Sequence, residues 1–190
     1  GIPLSEVLRK DLKAGFSVDT AAEYFAIPTF DVMLATDGKK CKKIKEIISA
    51  GVFVSPKLDG YRCLAVIENG EVTLYSRNGS EFSNFPGIEA SLAKSFAGMS
   101  LVLDGEIMSD DFQAMQQTAF SSKSGQSVGD VIYNVFDYLT LDEWKSGVFL
   151  LEKAKRLVYL KDRSKKFGIE VVMVPQELTW DIERVLETRE

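Results

Sequence analysis

The spacing of apolar and polar positions changes character twice along the chain. Over residues 4–25 apolar residues recur near helical spacing, with Ser17 and Asp19 placed as caps before Ala21-Ala22-Glu23-Tyr24-Phe25, which predicts a helical lead-in. The turn signal Asp37-Gly38 precedes a second helical stretch over 39–48. There Cys41, Ile44, Ile47 and Ile48 mark one face, and five lysines form a solvated one. From Val52 the period becomes that of strands. Val52-Phe53-Val54 is short and β-prone, and strand patterns over 61–67 and 72–77 flank Asn69-Gly70, a pair suited to the positive φ of a tight hairpin turn. The pattern then predicts a short helix over 88–96, a strand over 101–108, a helix over 112–118, a strand over 130–139, a longer helix over 150–167, a strand over 169–174 and a terminal helix over 181–187. Hairpins mixed with helices in no strand–helix–strand rhythm predict an α+β fold of antiparallel sheets with flanking helices. Residues 120–129 are small and polar and read as a surface loop. Residues 1–50 are expected to form a lead-in to the same domain, whose core spans 51–190.

Composition narrows the chemistry. Of the 190 residues 45% are apolar and 27% charged, an ordinary globular balance. No run of eighteen apolar residues occurs, and Gly1-Ile2-Pro3-Leu4-Ser5-Glu6 lacks the plan of a signal peptide, so a cytoplasmic protein is expected, with no membrane partner. Cys41 and Cys63 are far from any CxxC spacing and read as reduced thiols. Histidine is absent, which excludes imidazole-based triads and His-ligated metal sites. Chemistry must therefore rest on Lys, Arg, carboxylates or hydroxyls. The net charge of −5 argues against a uniformly basic coat for nucleic acid, while a local basic cleft remains compatible with it.

The sharpest candidate is Lys57-Leu58-Asp59-Gly60-Tyr61-Arg62, set between two predicted strands. A lysine held after Pro56, with a second positive charge nearby to favour its neutral amine, can act as a nucleophile toward phosphorus. Asp59 can orient that amine or a ribose hydroxyl, Gly60 lets backbone approach a ligand, and Arg62 offers a fork to phosphate or sugar oxygens. By itself such a segment is equally compatible with a surface turn.

Three further segments follow in order: Ser76-Arg77-Asn78-Gly79, Asp104-Gly105-Glu106 after an apolar strand, and Tyr133-Asn134-Val135-Phe136-Asp137. Together with Lys57-x-Asp59-Gly60-x-Arg62 they resemble the motifs of the covalent nucleotidyltransferase superfamily, specifically ATP-dependent DNA ligases of the phage-like type. Met33-Leu34-Ala35 and Asn84-Phe85-Pro86-Gly87-Ile88 resemble weaker elements of the same family. The resemblance implies the ligase nucleotidyltransferase core, an ATP-grasp-like fold. It implies that Lys57 attacks the α-phosphate of ATP, expels pyrophosphate and holds AMP, which then passes to the 5′-phosphate of nicked double-stranded DNA. Arg62 and Arg77 would contact ribose and phosphates of the nucleotide and later of the nick, Glu106 the ribose hydroxyl or a Mg2+ ion, and Phe136 the adenine. Many ligases carry an acidic residue two before the lysine; this chain has Ser55, whose backbone, with that of Val54, could still read the base.

Family members continue with a Glu-Gly motif, a Lys-x-Lys motif and an oligonucleotide-binding barrel, which the 190 residues do not contain, so a C-terminally incomplete core, inactive alone in nick sealing, is expected. Two alternatives share part of the pattern: an RNA-capping guanylyltransferase, and a nucleotide- or DNA-binding fragment without catalysis. The Ser-Arg-Asn-Gly segment and the following Phe-Pro-Gly-Ile favour DNA ligase.

Overall fold

The computed structural model describes Val32, Leu34, residues 37–110 and residues 131–187. The expected lead-in over 4–25, the helix over 112–118 and the loop over 120–129 lie outside the described residues. Val32–Glu190 forms one compact unit. A 3-10 turn (Gly38–Lys40) leads to α1 (Ile44–Ser49) and β1 (Val52–Val54). Then come β2 (Tyr61–Glu68), β3 (Glu71–Ser76), β4 (Glu81–Phe82), α2 (Pro86–Ser95) and β5 (Leu101–Ser109). After the undescribed segment follow β6 (Val131–Thr140), α3 (Leu141–Ser146), α4 (Lys153–Ser164), β7 (Val171–Met173), β8 (Glu177–Thr179) and α5 (Ile182–Glu187).

The central sheet has the order β4-β3-β2-β5-β6-β7. Two of its strands, β2 and β3, form the hairpin expected at Asn69-Gly70, whose φ values of 54° and 88° are those of a turn that matches the strands' twist, so that Glu68 pairs with Glu71. Every pairing in this sheet is antiparallel except the last: β7 runs parallel to β6, with Tyr133 opposite Val171. The expectation of antiparallel sheets therefore holds for every pair but this edge. A parallel neighbour needs a long crossover, and α3 and α4 between β6 and β7 supply it.

Alternation along the strands separates two faces. Cys63, Ala65 and Ile67 of β2, Leu74 of β3, Leu101, Leu103 and Ile107 of β5, and Tyr133 and Val135 of β6 share a core with Phe82, Phe85, Ile88, Leu92, Phe96 and Leu160. The intervening residues, among them Arg62, Asp104 and Glu106, stand on the opposite face. A second sheet pairs β1 with β8, Val52 opposite Thr179 and Val54 opposite Glu177.

α3 begins at a capping box. Thr140 Oγ1 accepts from Glu143 N, while Glu143 Oε2 accepts from Thr140 N at 3.1 Å and from the Thr140 hydroxyl at 2.9 Å. Glu143 Oε1 also accepts from the backbone N–H groups of Leu150 and Leu151. Burial pushes this carboxyl up, but the hydrogen bonds from Thr140, Leu150 and Leu151 outweigh it and hold it down to about 2. A depressed carboxylate stabilises the fold above its unfolded value and loses that contribution as pH falls toward the folded one. Glu143→Gln turns an amide group toward N–H donors and is expected to cost about 1–2 kcal/mol at neutral pH, solvent screening allowed for. Urea unfolding should show the gap from the native chain narrowing between about pH 5 and pH 2; a gap independent of pH would refute the assignment.

Candidate active site

The segment from Ser55 to Gly60 joins the two sheets in sequence, leaving β1 and entering β2. Lys57 is exposed, and its Nζ makes only a 3.5 Å contact with the Leu58 carbonyl. Among the described residues it has no acidic partner. The far end of the segment is fixed: Gly60 N donates to Glu106 Oε1 at 2.9 Å. That approach requires glycine, because a Cβ at position 60 would lie 2.3 Å from the Ile107 carbonyl oxygen. Gly60→Ala is therefore expected to push the segment off β5, destabilising the protein by about 2 kcal/mol and releasing Glu106. A melting temperature equal to that of the native chain would show that the segment can shift freely.

Next to this anchor, Arg62 grips Asp104. The register sets Arg62 opposite Glu106 and Leu64 opposite Asp104, so the arginine reaches diagonally to the neighbouring strand. Arg62 Nε and Nη2 donate to the two carboxylate oxygens, each at 2.5 Å. Burial works against the Arg62 charge, yet the hydrogen bond and charge of Asp104 outweigh it and raise its pKa; burial lifts the Asp104 carboxyl, and Arg62 opposes that lift. The same guanidinium lies 4.9 Å from the centre of the Phe136 ring, over its face.

Phe136 owes its setting to an irregularity. Asp104 pairs with Asp137 but Gly105 with Val135, so Phe136 is an extra residue in β6, a β-bulge. Its carbonyl leaves the ladder and accepts instead from Lys153 Nζ at 2.8 Å and Gln176 Nε2 at 2.6 Å. Asp137 is buried and held by Arg156, whose Nε and Nη2 donate at 2.8 and 2.9 Å, and by Lys153 at 3.0 Å. Burial would raise the Asp137 carboxyl, but the Arg156 hydrogen bond and the Lys153 charge win and hold it below its ordinary value. Beneath the bulge the wholly buried Tyr133 bonds the carbonyls of Cys63 and Leu103, and Gly105 makes room, since a Cβ there would fall 2.6 Å from the Tyr133 ring. Tyr133 is thus part of the core.

Of the residues singled out in the sequence, Arg62, Glu106 and Phe136 come together with Asp104 and Gly60. Ser55, Lys57, Asp59 and Arg77 are exposed. Cys63 pairs with Ser76, which puts Arg77 at the same end of the sheet as Arg62. The arginine fork expected to meet phosphate or sugar oxygens is already engaged by Asp104, leaving Nη1 as its open side. Asp104, Lys153 and Gln176 went unassigned in the sequence. Asp104 sits inside a recognised motif, but a lysine on a helix and a glutamine in a loop carry no local signal.

Among the described residues no group of three or more His, Cys, Asp or Glu is arranged to hold a metal ion. Asp104 and Asp137 are committed to cations, whereas Glu106 is bonded to the neutral Gly60 N–H. The residues present thus fit one carboxylate ligand to a divalent ion, whose other ligands would be phosphate oxygens and water.

Comparison with known proteins bears on the family. The family model described as ATP dependent DNA ligase domain matches residues 32–189. The multifunctional non-homologous end joining protein LigD of Pseudomonas aeruginosa is 38% identical over 91 residues, 43% of this chain and 10% of that protein. The solved structures named Pmar-Lig_Pre. and Pmar-Lig_PreS3 are 29% and 28% identical, with TM-scores of 0.71 and 0.73; the match covers 92% and 96% of this chain but 42% and 45% of theirs. The ATP-dependent DNA ligase of bacteriophage T7, solved with ATP, is 14% identical with a TM-score of 0.54 over 77% of this chain and 55% of its own, a likeness of fold. The chain therefore spans under half the length of the two Pmar-Lig structures. Its motifs, its sheet and the match over most of its residues lead to one statement: the chain belongs to the family of ATP-dependent DNA ligase domains.

Proposed function

We propose that this domain, as part of the complete enzyme, takes AMP from ATP onto Lys57 and passes it to the 5′-phosphate of nicked double-stranded DNA. The neutral Nζ attacks the α-phosphorus, a P–N bond forms, the bond to the bridging oxygen of the β-phosphate breaks, and pyrophosphate leaves as the amine loses a proton. A 5′-phosphate oxygen of the nick then displaces the lysine, and attack of the 3′-hydroxyl on that activated phosphate seals the strand and releases AMP. Phe136 supplies a face for adenine beside the backbone of Val54 and Ser55. Asp59 takes a ribose hydroxyl, Glu106 a ribose hydroxyl or the metal, and Arg77 with the open side of Arg62 takes phosphate oxygens. Mg2+, held by Glu106 and the phosphates, would offset charge on the α-phosphate and the leaving pyrophosphate.

One observation carries the reading: the Gly60–Glu106 bond ties the segment bearing Lys57 to the strand bearing Asp104 and Glu106, directly beside the Phe136 bulge. A cytoplasmic setting is part of this reading, since ATP and DNA, the proposed substrates, are both found there; no helix among the described residues is long and apolar enough to cross a membrane. The test is incubation with ATP or GTP labelled at the α-phosphate, then denaturing electrophoresis. Label retained from ATP supports the proposal, label retained only from GTP would indicate a capping guanylyltransferase, and retention from neither a domain that binds without reacting.

A further inference from the structure

Gln176 stands where the two sheets meet along the chain. Val174 N donates to the Val135 carbonyl at 2.8 Å, keeping the chain beside β6 after β7 has ended. Immediately after Gln176 begins β8, which pairs with β1, the strand that runs into the Lys57 segment. Between these two attachments the Gln176 amide donates to the Phe136 carbonyl at 2.6 Å. A carbonyl expelled from a ladder by a bulge must find donors elsewhere, and their position sets the tilt of its peptide and so the direction of the side chain that follows from it. Lys153, the other donor, also serves Asp137.

We infer that Gln176 is a positioning residue. It fixes the Phe136 peptide, and with it the ring, relative to the sheet that delivers Lys57, so that the base platform and the nucleophile keep one spacing. This rests on the proposed function, because it assumes that Phe136 receives the base. A side chain acting in this way touches neither nucleotide nor reacting atoms, and its effect must vanish once the ring is gone.

The test is a double-mutant cycle in the natural gene product, reading the dissociation constant of an ATP analogue with a non-cleavable α–β bridge, with melting temperature as a control. Gln176→Met keeps the length of the side chain and removes the donor. Phe136→Ala is expected to weaken binding about tenfold, Gln176→Met about fivefold, and the double variant no more than Phe136→Ala. If Gln176→Met leaves affinity unchanged while Phe136→Ala lowers it, or if the two losses multiply, the positioning role is overturned and the proposed function stands. If Phe136→Ala has no effect, the base platform itself is wrong and the role of Gln176 falls with it. Should the Met variant not fold, Gln176→Glu, which keeps the shape but turns an oxygen toward the carbonyl, gives the same reading.

Discussion

Lys57→Ala is expected to abolish covalent attachment of AMP, a loss of at least about ten-thousandfold in rate, because in the proposed function its amine is the group that attacks the α-phosphorus. Lys42, Lys43 and Lys45 are also exposed, but they lie on and before α1, away from any motif segment, whereas Lys57 lies three residues from a backbone amide bonded to Glu106. Lys57→Arg should fail as completely, since a guanidinium does not give up its proton to become a nucleophile. Neither change should cost stability beyond about 0.5 kcal/mol, as the side chain is exposed and makes a single long contact. The measurement is label retention, with peptide mapping and a thermal melt. AMP recovered on any other lysine of the native protein would end the assignment.

Asp137→Ala should have the largest effect on folding. It removes an acceptor that serves Arg156 twice and Lys153 once, and leaves two cations without their partner; that of Arg156 is only 12% exposed. Removing one member of such a group costs about 2–4 kcal/mol, more than an exposed pair because the remaining charges are not rehydrated. The sign with pH follows from the depressed carboxyl: its contribution is full above the unfolded value of about 4 and is lost as pH falls through the lower folded value. Denaturant unfolding at pH 7 should therefore separate variant from native widely, and at pH 2–3 much less. A loss below about 1 kcal/mol at pH 7 would mean that Arg156 and Lys153 find water or new partners.

Much of this fold is legible in the sequence because its signals are local. The Asn69-Gly70 turn, the alternation along β2 and β5, and the helical spacing before Phe96 each depend on a few adjacent residues, and α2 starts two residues before its expected span because Pro86 can begin a helix. What was not legible depends on distance. β4 and β8 are two and three residues long and exist because β3 and β1 offer them edges. α3 follows β6 without a break, and its capping box reads in the sequence only once the strand's end is known. The parallel placing of β7 is decided by the crossover that α3 and α4 provide. At the candidate site the same division holds. The motif residues are visible as words, but the engagement of Arg62 by Asp104, the bulge at Phe136 and the donors Lys153 and Gln176 arise from register and tertiary approach, which no spacing encodes.

The pairing of β1 with β8 has a consequence for the order of folding. Val52 and Thr179 are brought together across nearly the whole described chain, so their short ladder forms only after the hairpins and crossover have shortened the effective loop between them. Three residue pairs at that separation make a local opening far less costly than global unfolding. Backbone amides of β1 and β8 are thus expected to exchange with deuterium well before those of β2 and β5. The strand that leads into the Lys57 segment is thus expected to open more readily than the central sheet, and a nucleotide that bridges the two sheets would slow exchange there first.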